Sequence, residues 1–61
     1  MKFTKVSSKS DPVIIYRSDD GFYKIIKRPG ENVWTLKQIS LFNIMGEVIG
    51  KFDTLEEAMN F

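Results

Sequence analysis

Two turn signals nine residues apart constrain this chain more than anything else in it. Asp20-Gly21 and Pro29-Gly30 bracket residues 22–28, a run rich in Ile, Lys and aromatic side chains. Asp-Gly is a hairpin signal in which Gly is free to take positive φ. Pro29-Gly30 fits the two central positions of a type II turn, because Pro pre-sets φ and Gly accepts the left-handed site. The spacing predicts a short strand over residues 13–17, a second over 22–28, and a third opening at Asn32 or Val33 and running through Trp34, Leu36 and Gln38.

The apolar residues agree with that reading. Of 26 in the chain, 19 are Ile, Val or aromatic and only four are Leu or Ala. Side chains that branch at Cβ or carry rings suit a pleated, half-buried surface better than a helix. With 61 residues the chain makes one small domain at most. A domain of this size buries only about 60% of the surface its unfolded chain exposes, so dense aromatic packing or association must compensate.

Residues 38–46 fit two templates. Ile39, Leu41 and Phe42 continue a strand, whereas Leu36, Ile39, Ile44 and Met45 line a short helix. Ile, Phe and Ser tip the reading towards strand, with a turn around residues 43–46. Residues 47–52 alternate strictly, placing Val48, Gly50 and Phe52 on one face and Glu47, Ile49 and Lys51 on the other. Gly50 in a strand interior marks a bulge or a close approach, here leaving room for Trp34 or the helix. Asp53-Thr54-Leu55-Glu56-Glu57 is a helix start: Asp53 or Thr54 can cap the first turn, and the two acids suit the positive end of the dipole. Leu55, Ala58 and Met59 then share one face. So short a helix is unstable alone and must lie on the sheet or a partner. The expected fold is α+β: a three- or four-stranded antiparallel β-meander with one short C-terminal helix packed on it. Residues 1–12, polar and aperiodic apart from Phe3 and Val6, form a loose N-terminal arm, and residues 13–61 form the single sheet-plus-helix domain.

Several function classes drop out. Cys and His are both missing, which removes disulfides, thiolate chemistry, the commonest general base near neutrality and the usual zinc ligands. No G-x-S-x-G elbow or P-loop is present, and Asp19, Asp20, Asp53 and Glu56 sit in a turn and a helix cap. The longest apolar run is four residues, at 13–16, where a membrane span needs about twenty. The N-terminus does not lead into a signal-peptide core. The expectation is a soluble, cytoplasmic protein that is not an enzyme, with no cofactor, metal, small-molecule substrate or membrane partner.

The segment Gly50-Lys51-Phe52-Asp53-Thr54-Leu55-Glu56-Glu57-Ala58 resembles a recurring tail in small bacterial and phage proteins of unassigned function. In these a three-stranded meander with a Trp in its middle strand runs into F-x-T-x-E-E-A and a helix. The likeness covers roughly residues 22–61 and implies the fold; this chain departs from it by a shorter helix and an extra strand over 13–17. A second likeness, of architecture alone, is to the sheet-plus-helix DNA-binding domains of phage-type integrases and AP2-type plant factors. It implies basic and aromatic contacts from Arg17, Tyr23, Lys24, Lys27, Arg28, Trp34 and Lys37.

Net charge is +1, unevenly placed: residues 1–28 carry seven bases and three acids, and residues 29–61 carry two bases and five acids. Strand alternation puts Lys24 and Arg28 on one face and Lys27 on the other, which argues against one continuous basic stripe. Large apolar groups fall on both strand faces, Ile25 and Ile26 in succession among them, and a two-turn helix cannot cover them all. Some must be exposed or covered by a partner. The reading that follows is a phage- or mobile-element-type accessory protein that docks on a larger protein, or on a second copy as a homodimer, to inhibit or regulate it. Its expected contacts are Tyr16, Tyr23, Trp34 and Phe42, with Arg17, Lys24 and Arg28 as a charged rim. The alternative is a nucleic-acid-binding regulator that uses the basic and aromatic residues of the 22–37 hairpin.

Overall fold

In the computed structural model, which describes residues 2–60, both expected turns close as their chemistry requires. Gly21 N–H donates to the Ser18 carbonyl at 3.0 Å and Glu31 N–H to the Arg28 carbonyl at 3.2 Å. Gly21 and Gly30 take φ of 79° and 83°, values that L side chains rarely adopt. Met1 and Phe61, the outer ends of the expected arm and domain, lie outside the described residues.

Five strands and one helix result: β1 (Phe3–Lys5), β2 (Ile14–Ser18), β3 (Tyr23–Lys27), β4 (Trp34–Ser40), β5 (Asn43–Phe52) and α1 (Leu55–Met59). Neighbours in sequence are neighbours in space, and every pairing is antiparallel, so the sheet is a meander. The strand count exceeds the expected three or four because the arm is not wholly loose. Phe3 pairs with Ser18 and Lys5 with Tyr16, and Val6 N–H and Asp19 N–H bond across the same junction at 2.9 and 3.0 Å. A three-residue strand with one apolar side chain has no readable period; the free edge of β2 recruits it.

The 38–46 segment is strand, with its turn at Leu41-Phe42 rather than at 43–46, since Ser40 pairs with Asn43. β5 therefore begins four residues earlier than the alternation implied. It also carries more residues than β4 can pair. The partner of Leu36 is Gly50 and that of Lys37 is Val48, which leaves Ile49 as an extra residue in a bulge. A further shift lies between Gln38 and Ser40. The strict alternation expected over 47–52 is thus broken: Val48 stands opposite Lys37 while Gly50 and Phe52 stand opposite Leu36 and Trp34. The Gly50 space is taken by the Phe52 ring, which a Cβ there would meet at 3.1 Å, and not by Trp34 or the helix.

α1 packs on one face of the sheet, against β4 and β5. Thr54 caps it, its hydroxyl accepting from Glu57 N–H at 3.2 Å, and Glu56 and Glu57 fill the first turn. Ala58, small enough for close approach, completes a core with Ile25 and Leu36, all three fully buried. Phe3, Tyr16, Tyr23, Trp34, Phe52, Leu55 and Met59 surround it. Burying Ile25 and Leu36 contributes about 1.5–3 kcal/mol each, so this one face supplies most of the hydrophobic stabilisation.

Candidate functional site

No cavity and no cluster of three or more potential metal ligands occurs among the described residues. No helix among them is long and apolar enough to cross a membrane. The candidate sites are therefore surfaces, and two differ from ordinary solvated protein.

The first is the β4–β5 tip. β3 begins at Tyr23, opposite Gln38, and the last backbone bond between the two strands runs from Ile39 N–H to the Phe22 carbonyl at 2.7 Å. Beyond that bond β4 and β5 continue as a two-stranded overhang with no third strand beside it. Its apolar side chains have nothing to pack against: Leu41 is 94% exposed, Phe42 101%, Ile44 79% and Met45 80%. Val48 and Ile49 extend the apolar surface along β5, which is an edge strand of the sheet.

The second is the face away from α1. Antiparallel register aligns Arg17 with Lys24 and Lys24 with Lys37, so three bases stand side by side across β2, β3 and β4. The next rung holds Ile15, Ile26, Thr35 and Lys51. Ile26 and Thr35 are 8% and 4% exposed with no helix over them; long basic side chains bury such neighbours under their methylene stems while the charged heads stay in water.

The expected protein contacts do not form one patch. Phe42 stands at the tip. Tyr16, Tyr23 and Trp34 are half-buried around the core on the helix side, where Tyr16 meets Trp34 edge to face at 6.3 Å between centroids and 67°. Arg17 is exposed on the opposite face. The nucleic-acid set also divides. Arg17, Lys24 and Lys37 share the row, whereas Lys27 lies over the Trp34 ring at 5.4 Å and Tyr23 is on the helix side. Arg28 sits in the turn, 3.7 Å from Glu31. Alternation along β3 does put Lys24 and Lys27 on opposite faces; the basic row forms across strands instead, from Arg17, Lys24 and Lys37.

Leu41, Ile44 and Met45 were not among the expected contacts, nor was Lys51. The apolar density of residues 39–45 is the signal for the first three, and the two templates that fit this segment leave open which of its side chains face outwards. Lys51 was paired with Ile49 by an alternation that the bulge interrupts.

At the β2–β3 turn, Asp20 accepts from the Ser18 hydroxyl at 2.6 Å and from Phe22 N–H at 3.0 Å, while the Ser18 oxygen accepts from Tyr23 N–H at 3.0 Å. The Ser18 bond first, then the Phe22 N–H, hold the Asp20 carboxyl below its ordinary value. This chain of bonds fixes the turn and has no substrate-facing geometry.

No protein-family model matches the chain, and no match was found among curated proteins or solved structures.

Proposed function

We propose that this chain is a small non-enzymatic binding protein of the phage or mobile-element accessory type, which docks on a larger protein and thereby inhibits or regulates it. The observation that carries the reading is the tip: four bulky apolar side chains, each about four-fifths exposed or more, gathered on one hairpin overhang. Single exposed apolar residues are ordinary, whereas a contiguous group of this kind marks an interaction surface.

Magnitudes set the shape of the contact. Full burial of four such side chains yields about 6–12 kcal/mol, against an association cost of about 4–15 kcal/mol. The tip anchors a complex but does not hold it tightly alone. The outer edge of β5 is the adjacent source of further bonds, since an edge strand can pair its backbone with a strand of the partner.

Affinity capture from extract of the source cell, with wild-type protein and with F42S/I44S side by side, tests the reading. A protein retained by the wild type and lost with the variant, while both melt at the same temperature, is the expected result. Identical captured sets would overturn it. Sedimentation of the free protein over a concentration series distinguishes a foreign partner from a second copy.

A further inference from the structure

We infer that the face of the sheet away from α1 binds single-stranded nucleic acid through its phosphates, using Arg17, Lys24, Lys37 and Lys51. Neighbouring strands lie about 4.8 Å apart, so the Arg17–Lys24–Lys37 row sets three positive charges side by side. Like charges directly opposite one another destabilise a sheet. Here two such pairs occur in succession, with no carboxylate between them in the register. Among the described residues Arg28 pairs with Glu31 in the β3–β4 turn, which does not relieve the row. The other acids lie off the row: Glu56 and Glu57 on the helix, Asp19 and Asp20 in the β2–β3 turn, Asp11 and Asp53 in connections, and Glu47 on β5 opposite Gln38 rather than Lys37. The net charge of +1 hides a separation of charge across the sheet. A row of unrelieved cations is complementary to a regular line of anions, and a nucleic-acid backbone is such a line.

Geometry selects single strands. Five strands at that spacing span about 19 Å, wider than the major groove of about 12 Å, which admits a helix or a two-stranded ribbon. The flat face can instead lie under an unpaired strand. Phe22, 57% exposed, lies two residues before Lys24, and its carbonyl accepts from Ile39 N–H. Continued alternation sets it on the side of Lys24, where its ring can take one stacked base. Tyr23 and Trp34, on the helix side, have no part in this surface.

Fluorescence anisotropy with a labelled oligothymidine of about 16 nucleotides tests the inference, with a duplex of equal length and phosphatidylserine vesicles run alongside. Four phosphate contacts predict that log K falls with log salt at a slope of about −2.8 for single strands between about 50 and 200 mM. K24Q/K37Q should weaken binding at the lower salt at least tenfold and make the slope shallower by about 1.4. K5Q/K9Q, with the same loss of charge but on the helix side of β1 and in the β1–β2 connection, should change neither by half as much. R17Q/K51Q, from the opposite ends of the surface, should repeat the K24Q/K37Q result. K24Q/K37Q loses a repulsion, so its melting temperature should not fall. No binding at about 50 mM salt, equal losses in the site and control variants, or tighter binding to duplex or vesicles than to the single strand would each overturn the inference.

Discussion

Leu36 meets Ile25 across the β3–β4 ladder and Ala58 from above, so its side chain has no route to water. At about 0.05–0.15 kcal/mol per residue, a 61-residue chain has about 3–9 kcal/mol of stability in total. Leu36→Ala leaves a cavity costing about 2–5 kcal/mol, and a urea titration should show most of the cooperative transition lost. Asp20 acts through charge. Its folded form is the more acidic, so its bonds to Ser18 and Phe22 stabilise the turn above the ordinary carboxylate range, and that contribution disappears as the pH falls through it. Asp20→Asn should therefore lose less stability than the wild type between neutral and acid pH; parallel acid limbs in urea midpoints would exclude this linkage.

Among the elements, α1 depends on its cap. Thr54→Ala removes the acceptor for Glu57 N–H and should cost about 1 kcal/mol, read from thermal melts. The β4–β5 tip should behave in the opposite way. Phe42 touches nothing the fold needs, so Phe42→Ser should shift stability by less than about 0.5 kcal/mol while removing partner binding. How far each element could be read from the sequence follows from where its instructions lie. Both turns and the cap were legible because Asp-Gly, Pro-Gly and Thr-x-x-Glu each act within four residues. β1 was not legible, since its pairing is dictated by β2 and not by Phe3-Thr4-Lys5. Gly50 signalled the neighbouring bulge, but that Ile49 is its extra residue, and that the turn falls at Leu41-Phe42, depends on how β5 matches β4, a non-local balance that no single strand declares. The candidate surfaces suffered most from this. Phe42 was found from its apolar run, but the alignment of Arg17, Lys24 and Lys37 exists only once three strands are in register.

At the scale of the molecule, the sheet has two unlike sides. The helix side holds the core, and the other holds a line of cations that oppose folding. Replacing Lys24 by Gln should raise stability by about 0.2–1 kcal/mol at low ionic strength. The gain should shrink as salt screens the row over a Debye length of about 10 Å at 0.1 M. Chemical melts of the wild type and Lys24→Gln at two salt concentrations would show this as converging midpoints; a constant difference would mean that the row is not under repulsion.

The overhang beyond Tyr23 has a consequence for how such a protein can change. Because residues 41–45 lie past the last bond that ties β3 to β4, new side chains can be tried there without repacking anything beneath. Folding and the proposed docking thus fall to separate stretches of the chain. The tip is also the natural place to graft a foreign recognition loop, with the rest of the sheet serving as its handle.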